Sequence, residues 1–143
     1  MVELSVVAIM LVVLMSWAAP LFQKTIEQSN VDMAAANLET IWTAERLYFS
    51  QSNPQAFTDL PILQSSGLLD PSFYHAITQS SKMSYQVVYG NTNDVPPAPF
   101  FTATATRKNS GRWTGALSLT EQGVMSGNIQ GPGGHPVISP PSY

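Results

Sequence analysis

The feature that constrains this chain most is an apolar run near its start, residues 4–22. All 19 positions are uncharged and most are apolar. At about 1.5 Å per residue, a helix of this length approaches the roughly 30 Å thickness of a bilayer hydrocarbon core. A cleaved secretory signal is the alternative, but signals place a basic segment before a shorter apolar stretch, and no basic residue precedes Lys24. The run therefore predicts a membrane helix.

Glu3 places a carboxylate at the head of this run. A glutamate near a helix N-terminus is stabilised by the helix dipole, so an interfacial Glu3 without a special role is one interpretation. Inside a protein bundle the same carboxylate needs a partner. The only cation before Lys24 is an α-amino group, either the chain's own or that of an identical neighbour packed with an axial offset.

Pro20 lies near the other end of the run. Proline removes one backbone donor, clashes with the carbonyl four residues earlier, at Ser16, and disfavours helix at Ala19. We therefore predict a kink or a local unwinding here, with the Ser16 hydroxyl satisfying a freed backbone group. An ordinary kink at a membrane exit is the simpler alternative.

An apolar helix with a glutamate at its start and a proline seventeen residues later resembles the N-terminus of type IV pilins and pseudopilins. The matching residues are Glu3, the apolar run 4–15 and Ala18-Ala19-Pro20. Val12 stands where the family commonly has glycine. The family's glutamate lies four residues after a methylated mature N-terminus, so the resemblance implies that two mature residues and a basic leader precede Met1.

The resemblance implies a structural subunit that polymerises through this helix into an extracellular filament. Glu3 would pair with a neighbour's terminal amine and set the axial register, while Pro20 would supply flexibility. The implied partners are copies of the chain, the bacterial inner membrane before assembly, a prepilin peptidase and the pilus assembly machinery. No cofactor is implied.

Two other functions stay open. One is a pseudopilin of a type II secretion or competence apparatus, acting as a short periplasmic piston. Pseudopilins of the major secretion type often hold calcium in a loop beside the sheet, and the predicted strand region has only Asp94 and Glu121 as acids. The other is a single-pass anchored periplasmic binding module that never polymerises.

Beyond the proline, residues 23–53 predict an amphipathic continuation of the helix. Apolar residues recur at the helical spacing i, i+3, i+4, i+7, namely Val31, Ala34, Ala35, Leu38, Ile41, Trp42, Tyr48 and Phe49. Glu27 and Glu39 are expected mostly off this stripe. Joined to residues 1–22, this segment makes one helix of about 50 residues, roughly 75 Å long.

The remainder predicts an α+β domain in which the long helix packs on a small three- to four-stranded antiparallel sheet. The resemblance to pilins implies the same arrangement, the type IV pilin fold. Residues 54–82 form a connection with two short helices, capped by Asp59 and Asp70. Residues 83–130 alternate apolar and polar side chains, as strands do. Residues 131–143, rich in proline and glycine, are expected to be extended and irregular.

Several classes of function are not supported. The chain has no cysteine, and His75 and His135 are isolated from acidic clusters at metal-ligand spacing, so no metal site is predicted. No nucleophile is placed beside a base, so we expect no enzyme. Six Lys and Arg in all make direct nucleic-acid binding unexpected.

The one basic cluster comprises Arg107, Lys108 and Arg112, in the predicted turn between the second and third strands. A solvated loop is the ordinary interpretation. The sharper hypothesis is an inter-subunit contact with acids on another copy's helix, such as Glu27 or Glu39.

Overall fold

The computed structural model describes the backbone of residues 2–134 and 137–140, and the side chains of these residues except 2, 3 and 17–21. The chain is an α+β protein with a long N-terminal helix and a five-stranded antiparallel sheet. Its helices are α1 Val2–Gln51, α2 Leu60–Ser65 and α3 Pro71–Thr78. Its strands are β1 Met83–Asn91, β2 Pro99–Arg107, β3 Thr114–Thr120, β4 Met125–Gln130 and β5 Val137–Ile138, in spatial order β1-β2-β3-β4-β5.

The second half of α1 packs on the inner face of this sheet. The apolar stripe predicted from sequence is buried through Val31, Leu38 and Ile41, while Trp42, Tyr48 and Phe49 are partly buried against the same core. Inward side chains of β2 and β3, such as Phe101 and Leu117, face this stripe with no exposed surface. The predicted arrangement of one helix on an antiparallel sheet is confirmed at this level.

The stripe also includes two carboxylates. Glu27 is 3% exposed and Glu45 has no exposed surface, so the expectation that Glu27 lies off the stripe was wrong. Buried positions at 27, 31, 34, 38, 41 and 45 follow alternating steps of four and three, which keep side chains on one face of a helix. Both acids occupy core positions because this spacing places them there.

The connection between α1 and β1 has the two predicted short helices. Asp59 caps α2 by accepting from the Ile62 amide, and Asp70 caps α3 by accepting from the amides of Ser72 and Phe73. Both caps are followed closely by proline, as at many helix starts. The capping predictions are confirmed, and the connection is anchored on the core through Leu60, Leu63, Leu69 and Ile77.

The sheet has five strands, whereas three or four were predicted. Residues 131–143 were expected to be irregular throughout, but Val137 and Ile138 form β5 against β4. Ile138 pairs with Ile129 and is 1% exposed. That expectation was wrong because the proline and glycine content of these residues does not show that Ile138 can be buried at the edge of the sheet.

Strands β3 and β4 approach each other closely at two glycines. Gly115 and Gly127 have φ of +134° and +98°, and a Cβ at either would lie 2.2 Å from a backbone oxygen of the facing strand. Both the backbone conformation and the close approach require glycine.

Candidate functional site

The most unusual surface of the molecule is the first half of α1. Every side chain from residue 4 to residue 16 is exposed, and we call this stretch the bare segment. Ten of its residues are large apolar side chains with exposed fractions from 47% to 79%. Soluble monomers rarely expose contiguous apolar surface of more than a few hundred Å². The bare segment is therefore the candidate interaction surface of this chain.

The apolar surface continues beyond the bare segment along the outer face of α1. Phe22, Ile26 and Met33 are 68%, 61% and 60% exposed, at intervals of four and seven residues that place them on one side of the helix. The inner side of the same region begins to meet the sheet at Glu27. Residues 22–26 are thus exposed, and from Glu27 onward the inner side of the helix is covered by the sheet.

The helical backbone of α1 is continuous through Ser16, Ala19 and Pro20, so the structure does not show the predicted local unwinding. The Ser16 hydroxyl donates to the Val13 carbonyl at 2.8 Å, one turn before the carbonyl that the proline leaves without a donor. The side chains of Glu3, Ala19 and Pro20 lie outside the described residues. The predicted kink and the register role of Glu3 therefore stay predictions.

Where the side chains are described, which leaves out residues 17–21, no helix is long and apolar enough to cross a membrane.

The basic cluster divides into one buried and two peripheral residues. The Arg107 Nε donates to Glu27 Oε1 at 2.5 Å, and its Nη2 donates to Oε2 at 3.1 Å. Both side chains are at most 6% exposed. The expectation that Arg107 would meet Glu27 of another subunit is corrected, because the two residues pair within one chain.

The remaining donors and acceptors of this pair are also satisfied. Arg107 Nη1 donates to the carbonyls of Lys82 and Lys108 at 2.8 and 2.9 Å, and Asn30 donates to Glu27 Oε2 at 3.0 Å. Hydrogen bonds of this kind offset the desolvation of a buried ion pair. The Arg107–Glu27 pair thus joins β2 to α1 at the position where the sheet begins to cover the helix.

Lys108 and Arg112 are the members of the cluster that the fold leaves nearer solvent. Arg112 is exposed, and its Nη1 donates to Gln23 Oε1 at 3.3 Å. Lys108 is partly exposed, and its backbone amide donates to the Lys82 carbonyl. An inter-subunit contact through these two residues stays a prediction.

Glu45 is the second buried acid, and sequence analysis did not single it out. Its Oε2 accepts from the Thr58 amide at 3.1 Å, while its Oε1 has no hydrogen-bond partner. Burial raises the pKa of Glu45 to about 7; the Thr58 amide opposes the shift and the charge of Asp59 adds to it. The alternating spacing of four and three was the available sequence signal for both buried acids.

A cavity of about 210 Å³ lies between α1, α3 and β1. The Asn37 amide donates to the Tyr85 hydroxyl at 2.8 Å in its wall, and burial raises the pKa of Tyr85. Lys82 and Tyr85 are the ionisable side chains among its lining residues.

Among the described residues, no three His, Asp or Glu side chains lie close enough to hold a metal ion. His135 and its neighbour Pro136 lie outside that part of the chain.

Comparisons of the chain with protein-family models, with curated proteins and with solved structures found no match.

Proposed function

We propose that this chain is a structural subunit, with the type IV pilin fold, that polymerises into a type IV pilus-like extracellular filament. The observation that carries the proposal concerns one continuous 50-residue helix, α1. From residue 27 onward one side of this helix belongs to the core of its own domain. The bare segment, residues 4–16, presents the same kind of apolar surface fully exposed.

The length of helix that precedes the sheet supports a polymer of identical copies. Residues 4–26 extend over about 34 Å before the sheet begins to cover α1, and their described side chains, at 4–16 and 22–26, are all exposed. Burying a large apolar side chain contributes about 1.5–3 kcal/mol, so helices that pack side by side over this length gain much by association. Before assembly the inner membrane holds the same surface away from water.

The two residues that first distinguished the apolar run have roles in this proposal. Glu3 pairs with the terminal amine of a neighbouring copy and sets the axial register between helices. Pro20, with Ser16 and Ala19, supplies a deformable point between the bare segment and the domain. The role is structural, without catalysis or a cofactor.

The test is filament formation by Val12→Asp, with Val12→Leu as the matched control. Val12 is 67% exposed on the bare segment, and a carboxylate there has no partner in a helix bundle. We expect wild type and Val12→Leu to form filaments visible by electron microscopy, and Val12→Asp to form none. Normal filaments from Val12→Asp would contradict the proposal, as would a wild type that stays monomeric in membranes, the behaviour of an anchored binding module.

The register role has a separate test. Glu3→Ala removes the carboxylate from the bundle, whereas Asp94→Ala removes an exposed carboxylate from the loop between β1 and β2. We expect few or irregular filaments from Glu3→Ala and normal ones from Asp94→Ala. Abundant, regular filaments from both would show that Glu3 does not set the register.

A further inference from the structure

The inference concerns Glu45 and the loop that covers it, residues 52–59. Glu45 lies near the end of α1 with no exposed surface, and the Thr58 amide is the hydrogen-bond donor to its Oε2. Its Oε1 has no partner. An ionised carboxylate buried in this way lacks most of the hydrogen bonds that water would give it.

The loop is closed over Glu45 by a small set of contacts. Phe57 stacks on Phe49 and packs against Phe101, with ring centroids 4.7 Å apart in each case. The Ser52 hydroxyl accepts from the Ala56 amide at 3.1 Å. Since the loop has no strand or helix of its own, it can separate from the core without disrupting the sheet.

The charges around Glu45 do not compensate it. Asp59, on the loop, is a like charge. Arg46, next to Glu45 on α1, is exposed, with its guanidinium 5.6 Å from the centre of the Trp42 ring. Arg107 is the ionisable residue of β2, and it pairs with Glu27, 18 residues or about 27 Å earlier along α1. Helix α2 and strands β3 and β5 contain no ionisable side chain.

We propose that Glu45 is a proton-controlled latch on loop 52–59. Protonated, Glu45 remains in the core and the loop is closed over it. Ionised, it is drawn towards water, so the loop opens locally and uncovers Phe57. This device is independent of the proposed filament function.

The direction of the pH effect follows from the pKa of Glu45, raised by burial from 4.5 to about 7. The closed state binds the proton more tightly than the open state, in which the carboxyl is hydrated. Closure is therefore strongest at or below pH 4.5, weakens as the pH rises to 7, and is constant above it.

The test is amide hydrogen exchange at Thr58 in the full chain, solubilised in a non-ionic detergent. Exchange rates of wild type are divided by those of Glu45→Gln at the same pH, which cancels the intrinsic pH dependence. We expect this ratio to rise on the order of 100-fold between pH 4.5 and 7.5. Glu39→Gln is the same substitution at a partly exposed site on α1. It shows how much of the change in the exchange ratio is caused by removing one negative charge alone.

Local opening is distinguished from global unfolding by low concentrations of urea. Exchange at Thr58 is expected to be nearly independent of urea, whereas exchange at Ala105, in the centre of the sheet, rises with it. A ratio that does not change with pH, or a Thr58 amide as sensitive to urea as Ala105, would overturn the proposal.

A second measurement covers the case in which Glu45→Gln does not fold. The Glu45 carboxyl carbon of the wild type is titrated by nuclear magnetic resonance. A midpoint near 7, accompanied by a rise in wild-type exchange at Thr58 over the same pH range beyond the intrinsic rate, supports the latch. A midpoint near the ordinary 4.5, or a midpoint near 7 without faster exchange at Thr58, overturns it.

Discussion

Glu27 and Glu45 are the same residue type on the same buried stripe, and their partners make them behave differently. Glu27 accepts from Arg107 through both oxygens and from Asn30. Glu45 accepts from one amide only. Since a buried charge needs both an opposite charge and full hydrogen bonding, Glu27 suits an ion pair and Glu45 suits the protonated form.

Arg107→Met is expected to destabilise the fold by about 3–5 kcal/mol, because it leaves Glu27 buried without its cation. Urea unfolding measures this loss. Arg112→Met is the matched control at an exposed site, where we expect a change within about 0.5 kcal/mol.

The double variant Glu27→Met/Arg107→Met removes both charges and is expected to recover much of the stability. If Arg107→Met lowered the free energy of unfolding as little as Arg112→Met does, the buried pair would not stabilise the fold.

Glu45→Gln is expected to change how stability depends on pH. In wild type, the raised pKa of Glu45 makes the contribution of this residue fall as the pH rises from 4.5 to 7. The difference in unfolding free energy between Glu45→Gln and wild type should therefore shift by about 3 kcal/mol in favour of the variant between pH 4.5 and 7.5. Equal differences at the two pH values would show that folding does not raise the pKa of Glu45.

Among the elements, α1 has two parts with opposite exposure, the bare segment and the part from residue 27 onward, although its helical backbone is continuous. From residue 27 onward, buried side chains at alternating steps of four and three meet the sheet, and all but Glu27 and Glu45 are apolar. In the bare segment the side chains are apolar on every face, so no single stripe is defined. The first pattern suits a helix with one buried side, and the second suits a helix surrounded by apolar neighbours.

Strand β5 is short but is expected to matter for stability. Ile138→Ala removes a side chain that is 1% exposed and pairs with Ile129, so we expect a loss of about 2–4 kcal/mol. The matched control is Val137→Ala, at the adjacent residue, which is 41% exposed and should cost under about 1 kcal/mol. Thermal unfolding compares the two variants. Similar melting temperatures would contradict the burial of Ile138 in the core.

At the scale of the whole molecule, the bare segment does not contribute to the folding free energy of the core. The residues from 4 to 16 are exposed along their full length, so the domain does not depend on them for packing. Assembly and stability should therefore respond to different substitutions.

Val12→Asp tests this separation by circular dichroism in detergent. We expect its melting temperature to equal that of wild type within about 1 °C, since the side chain contacts no part of the core, although the variant is expected to form no filaments. A large fall in melting temperature would show that the bare segment packs on the domain after all.

The elements of this fold were largely predictable, because local signals specify them. The caps at Asp59 and Asp70, the stripe from Val31 to Ile41 and the alternation in β1 to β3 are patterns of neighbouring residues. That Arg107 and Glu27 pair within one chain was not predictable from one sequence, since they are 80 residues apart and the basic cluster was compatible with a solvated loop or with a contact to Glu27 of another copy.

The amino-acid sequence alone accounts for the long helix, the apolar character of its first half and the identity of the short helices, since spacing and capping act within a few residues. Tertiary structure was needed to place Glu27 and Glu45 in the core, to add β5 to the sheet and to leave residues 4–16 uncovered. These outcomes depend on which distant groups come together, and the free energy of a buried charge or an exposed apolar surface is set by those groups.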